Sequence, residues 1–148
     1  MLEGSELVAF AGSRDLAKSD QFYAGILGLE RVEATPFANL YDVDGTMLRV
    51  TEVETVARAP YTVHGWNVAD IQASVKALAA SGLAFERYEG MDQDDAGIWT
   101  SPGGAQMAWF EDPDGIRSHC PSCQHDDSAL GRPRVPLGRI GPLCSVSL

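Results

Sequence analysis

Asp15-Leu16-Ala17-Lys18-Ser19-Asp20-Gln21-Phe22-Tyr23-Ala24-Gly25-Ile26-Leu27-Gly28-Leu29 is the stretch that decides the fold. Leu16, Phe22, Tyr23, Ile26 and Leu27 recur near helical spacing, Ser13 or Asp15 can cap the amino end, and Gly28 can supply a left-handed residue after the last turn. A strand-like run, Glu6 to Ala11, precedes this helix, and three short strands follow it as far as Val53. About 55 residues further on the order repeats. Tyr61 to Val68 reads as a strand, Asp70 as a cap, Ile71, Val75, Leu78 and Ala79 as an apolar stripe, and Gly82 as the terminator, with strands continuing to Glu111. Asp44-Gly45, between Phe37–Val43 and Met47–Val53, suits a type I′ hairpin because both positions tolerate positive φ. Pro102-Gly103-Gly104 and Asp112-Pro113-Asp114-Gly115 mark the later turns. The pattern predicts an α+β domain of two βαβββ modules pairing into a curved mixed sheet around a concave cleft. Module one covers 6–53, a linker 54–60, module two 61–115, and 116–148 form an atypical carboxyl-terminal tail, partly irregular.

With 148 residues and 45% hydrophobic content, the chain can bury one substantial core. Its net charge of −10 is concentrated before residue 116, where 19 acids face 7 bases. So acidic a body argues against nucleic acid and anionic membranes as partners. The amino end shows no basic segment followed by an apolar run, and no stretch approaches the roughly 20 apolar residues of a membrane span, so a cytoplasmic location is expected.

The phrase Phe22-Tyr23-x-x-x-Leu27-Gly28-Leu29, the repeated module order and the turn Glu111-Asp112-Pro113-Asp114-Gly115 resemble the vicinal oxygen chelate superfamily. That superfamily includes glyoxalase I, extradiol dioxygenases, fosfomycin-modifying enzymes and bleomycin-resistance proteins. The resemblance implies a metal held by one residue from the first strand and one from the last strand of each module. Carried onto this chain, those places fall at Val8, Arg49, Val63 and His119. Val8 and Val63 have no donor atom, and Arg49 brings a fixed positive charge where a carboxylate is needed. A branch of the family without a metal cofactor is therefore expected, with His119 relevant only if a metal form exists.

Two readings of Arg49 stand side by side. It can pair with Glu33 or Glu52 as an ordinary strand arginine, or its guanidinium can fix a carboxylate, phosphate or polar oxygen of a ligand. Asn67 shares a strand face with Val63 and Gly65 and could add a neutral hydrogen bond. With Val8, Phe10 and Val63 around them, these groups suit a small anionic or amphipathic organic ligand. Of the aromatics gathered in module two, Trp99 and Trp109 are candidates to stack on it. His64 should face the helix side with Trp66 and Val68, more as a core or edge histidine than as a catalytic one. Asp92, Asp94 and Asp95 lack the ordered oxygen spacing of a calcium loop.

After Gly115 the chain changes character. None of its 12 aromatic residues lies there, whereas all three cysteines do. Such an end is what a reading-frame change or a fused cassette would produce, and residues 126–148 are expected to be irregular. His119-Cys120-x-x-Cys123-Gln124-His125 looks like part of a zinc knuckle, yet only Cys144 remains to complete it, and no strand-to-helix turn supports a redox role. The function expected from these residues is sequestration of a small molecule by a homodimer of the bleomycin-resistance kind, without a cofactor. The alternative is a glyoxalase- or dioxygenase-type enzyme using a divalent metal.

Overall fold

The computed structural model describes residues 3–122. In module one, β1 (Val8–Ser13) leads to α1 (Leu16–Asp20), which continues as a π-helical turn over Gln21–Ile26 before β2 (Glu30–Ala34), β3 (Ala38–Val43) and β4 (Thr46–Glu52). Module two repeats the order with β5 (His64–Gly65), α2 (Ile71–Ala80), β6 (Trp99–Thr100), β7 (Gln106–Glu111) and β8 (Arg117–Pro121). Each module forms one four-stranded mixed sheet, in the orders β1-β4-β3-β2 and β5-β8-β7-β6. In both, the first strand runs parallel to the last. The expected α+β fold of paired βαβββ modules is what the chain adopts, as two sheets rather than one continuous hydrogen-bonded sheet.

Local chemistry explains the element ends. Asp15 caps α1 by accepting from the Ala17 and Lys18 amides at 3.0 and 3.1 Å, and Asp70 caps α2 by accepting from the Ala73 amide at 3.0 Å. At the β3–β4 turn, Asp44 and Gly45 have φ of 48° and 88°, as a type I′ hairpin requires. The first helix departs from a simple amphipathic α-helix. Phe22 and Tyr23 are adjacent yet both buried, and the wider π turn, closed by Leu27 N–H on the Phe22 carbonyl at 2.9 Å, brings neighbouring side chains inward together.

The modules share one core. Phe22, Tyr23, Tyr41 and Val50 from the first pack in the same cluster as Val68, Leu78, Ile98 and Phe110 from the second. The Asp112-Pro113-Asp114-Gly115 turn fastens them. Asp112 accepts from the Tyr23 hydroxyl at 2.8 Å, and Asp114 accepts from the Ser13 hydroxyl at 2.7 Å and from Arg14 Nε at 2.9 Å. Gly115 has a φ of +84°, so the turn needs glycine for its conformation, whereas the neighbouring Arg58 side chain is mostly exposed and can move aside.

The boundary expected at Gly115 lies too early. Arg117–Pro121 form β8, which stands inside the second sheet between β5 and β7. Alternation explains its place: Ser118 and Cys120 are buried toward the core while Arg117, His119 and Pro121 face the other way. A strand hydrogen-bonded on both sides takes its partners from the backbone, so weak side-chain propensity does not prevent it. The expectations for 126–148, and for Cys123, His125 and Cys144, lie outside the described residues.

Candidate functional site

The helix-free faces of the two sheets carry the candidate site. On the first sheet, Ala9, Ala11, Leu48 and Val50 turn toward the helices, leaving Val8, Phe10, Met47, Arg49 and Thr51 on the opposite face. Phe10 stands directly across from Arg49, and Val8 across from Met47. Arg49 Nε donates to Thr51 Oγ1 at 3.3 Å, and neither Glu33 nor Glu52 pairs with it. Among the described residues its guanidinium has no acidic partner within an ion-pair distance.

The second sheet presents a denser arrangement. Trp109 on β7 lies 6.2 Å from the Trp99 ring and 5.6 Å, edge to face, from the Tyr88 ring. The Arg117 guanidinium sits over Tyr88 at 5.7 Å and reaches Glu111 at 3.4 Å, while Arg58 approaches Glu111 from the other side at 3.8 Å. His119 stands across from Trp109 on one side and Gly65 on the other, and its ring lies over Gly65, 3.6 Å from where a Cβ would be. Three polar atoms on this face, Tyr88 Oη, Arg117 Nε and His119 Nδ1, are buried with no hydrogen-bond partner. Such atoms are costly unless something completes them.

Electrostatics follow the burial. Desolvation lowers the pKa of His119, keeping its imidazole neutral, and raises that of Tyr88 despite the opposing pull of Arg117. The loop before β6 is organised by its own side chains. Gln93 accepts from the Tyr88 amide at 2.8 Å and donates to the Glu86 and Gly97 carbonyls, and Asp94 accepts from the Ala96 and Ile98 amides. Asp94 thus closes the loop, and Gln93 steadies Tyr88.

The site residues named from sequence fall into two groups. Val8, Phe10 and Arg49 come together on the first sheet, and Trp99 with Trp109 on the second. Val63 is tied to β8 through its amide, which donates to the Arg117 carbonyl at 2.8 Å, and Asn67 lies two residues beyond Gly65. No hydrogen bond or ion pair joins Arg49 to Asn67 among the described residues. Sequence reasoning missed Tyr88, Arg117 and Glu111. Arg117 was readable as the same-face neighbour of His119, two residues away, once the segment is taken as a strand.

The donor set does not fit a metal. Val8 and Val63 offer no ligating atom, Arg49 offers a cation, and His119 alone could ligate. No group of three or more histidine, cysteine, aspartate or glutamate side chains is suitably placed among the described residues. Cys120 points into the core on the side opposite to His119, so these two neighbours do not ligate one ion together.

Residues 8–119 match the model of the Glyoxalase/Bleomycin resistance protein/Dioxygenase superfamily. The chain belongs to that superfamily. Solved structures agree at the level of fold. A lactoylglutathione lyase from Agrobacterium tumefaciens superposes with a TM-score of 0.61 at 16% identity, over 80% of this chain and 93% of that one. A glyoxalase/bleomycin resistance protein from Catenulispora acidiphila gives 0.62 at 18%, over 80% and 97%. A genomically encoded fosfomycin resistance protein from Listeria monocytogenes gives 0.66 at 12%, over 81% and 93%. Among curated proteins, none matches this chain. No helix of the described residues is long and apolar enough to cross a membrane.

Proposed function

We propose that this superfamily member binds a small anionic or amphipathic organic compound on the helix-free faces of its sheets, without a metal. The observation that carries the reading is Arg49, a guanidinium with no acidic partner among the described residues, standing where the family's ligand pattern calls for a carboxylate. Phe10 beside it, and Arg117, Tyr88, Trp109 and Trp99 on the second sheet, add apolar and stacking surface around cationic groups. A metal-dependent glyoxalase- or dioxygenase-type enzyme would need several inward histidine or carboxylate ligands, and among the described residues this face supplies His119 and Glu111, whose carboxylate is already paired with Arg117 and Arg58.

Two measurements test the proposal. Elemental analysis of protein purified without chelator should find no stoichiometric divalent metal; one equivalent of zinc, nickel, manganese or iron surviving dialysis would overturn the metal-free reading. A thermal-shift screen of small carboxylates, phosphonates and amphipathic antibiotics should yield a hit. Calorimetry of that hit should show Arg49→Ala weakening binding by roughly 1.5–3 kcal/mol, with the melting temperature nearly unchanged. Equal affinity for both forms removes Arg49 from the site.

The same reading includes a homodimer. β1 and β5 lie on either side of the seam within the chain, and exposed Leu7, Val8, Phe10, Tyr61 and Val63 on or beside them leave apolar surface that a second copy would cover. By contrast, β2 is guarded by Glu30, Arg31 and Glu33 and by a register shift between Arg31 and Glu33. Sedimentation at tens of micromolar, an order-of-magnitude working concentration, should show a species of twice the 15.9 kDa chain mass. A purely monomeric profile would count against the dimer.

A further inference from the structure

On the helix side of the seam between the two modules lies a cavity of about 180 Å³. Its walls are Leu7 and Ala9 of the first strand region, Val43, Thr46 and Leu48 of the β3–β4 hairpin, and Val63, His64, Gly65 and Trp66 of the second module. Most of its walls differ from the face carrying Arg49 and Trp109, because Ala9, Leu48, His64 and Trp66 turn toward the helices, and Val63 and Gly65 form the rim it shares with that face. The cavity exists because β1 and β5, each the edge of its own sheet, are not hydrogen-bonded to each other. Where one continuous sheet would close the gap with a backbone ladder, side chains line it instead.

Two features point to an occupant. The walls carry no formally charged side chain, and the volume is enough for a single ring, with the mouth open to solvent beside exposed Leu7 and Val63. The indole Nε1 of Trp66 is buried with no hydrogen-bond partner, and Trp66 is only 7% exposed, while the buried His64 imidazole beside it has the Phe10 backbone near enough to interact. An indole N–H can only donate, and a neutral imidazole donates from one nitrogen and accepts at the other. Leaving the indole N–H and the free imidazole nitrogen unmet is expensive, and a guest with one hydroxyl or carbonyl oxygen satisfies one or both of them. A charged guest is disfavoured, since no counter-charge in the walls offsets its loss of hydration.

We infer that this seam cavity is a second binding site, for an uncharged single-ring compound bearing one hydroxyl or carbonyl group, oriented by Trp66 and His64. Phenol serves as the probe. The protein has three tryptophans, at positions 66, 99 and 109, so the indole N–H resonances are few and Trp66→Phe assigns the one that matters. Titrating phenol into the whole wild-type chain should shift the Trp66 N–H resonance saturably, with a dissociation constant on the order of 1 mM or tighter. Benzene should bind more weakly. His64→Phe, which keeps a ring but removes both nitrogens, should narrow the preference for phenol over benzene by about tenfold, as the loss of one hydrogen bond predicts. Ala9→Leu, which fills the cavity, should abolish the Trp66 shift, and Arg49→Ala should leave it unchanged.

Failure here is distinguishable from failure of the anion-binding proposal, because the two sites use different probes and different variants. No saturable shift at Trp66 in the wild-type protein would overturn the inference, as would shifts confined to Trp99 and Trp109. A phenol-over-benzene preference untouched by His64→Phe would overturn the assigned orientation. These readouts do not depend on whether Ala9→Leu folds.

Discussion

Replacing Asp112 with alanine should lower stability by about 3–5 kcal/mol, because it strands three donors inside the junction between the modules. The Asp112 carboxylate accepts from the Tyr23 hydroxyl at 2.8 Å, the Asp114 amide at 2.9 Å and the Ile116 amide at 2.8 Å, and the residue is only 7% exposed. Asp112→Asn should lose less, since its amide oxygen can keep the two backbone bonds. Chemical denaturation of both variants measures the difference, and an alanine variant within 1 kcal/mol of wild type would remove the junction from any stabilising role.

The same turn makes stability depend on pH through two carboxylates whose effects have opposite sign. Burial raises the Asp112 pKa above its ordinary 3.8, even against the hydrogen bonds that favour the charged form. Its contribution therefore falls as pH rises through the folded value. Asp114 goes the other way: burial alone would raise it, but the hydrogen bonds from Arg14 and Ser13 together hold it below 3.8. Its contribution is present above that value and is lost as pH falls through the folded one. Asp114→Asn should thus flatten the loss of stability on the acid side of 3.8 that the wild-type chain shows.

Phe110→Ala should cost about 3–5 kcal/mol, the range for removing a large aromatic from a packed core. The Phe110 ring is 1% exposed and sits 6.2 Å from Phe22 of the first module and 6.0 Å from Phe85 of its own. Because that ring belongs to a core shared by both modules, the whole transition should move to lower denaturant as one step. Two separate transitions, with module one unaffected, would show that the shared core does not couple them.

The Phe22-Tyr23 phrase and the Asp-Pro-Asp-Gly turn, which carry the family resemblance, thus meet in space as a structural fastening. Tyr23 and Asp112 are 89 positions apart in the chain, and their hydrogen bond joins the two stretches. The sites differ in legibility for a related reason. Arg49 was readable because strand alternation alone sets it on the face with Phe10 and Val8. Arg117 and Tyr88 were not, because β8 lacks the β-branched residues that announce a strand and Tyr88 lies in a segment without regular structure.

The sequence by itself determined what a few neighbouring residues can decide. Asp15 and Asp70 cap their helices, Asp44-Gly45 turns its hairpin, and the apolar periods choose which side of each element is buried. The tertiary structure alone decided how the modules meet. It set Asp114 on Ser13 and Arg14, Arg117 over Tyr88, and His64 and Trp66 beside a seam cavity, and it placed Arg117–Pro121 between two strands. Most of these arrangements join residues separated by tens of positions. No local period encodes such a pairing, because it depends on the packing of whole modules against one core.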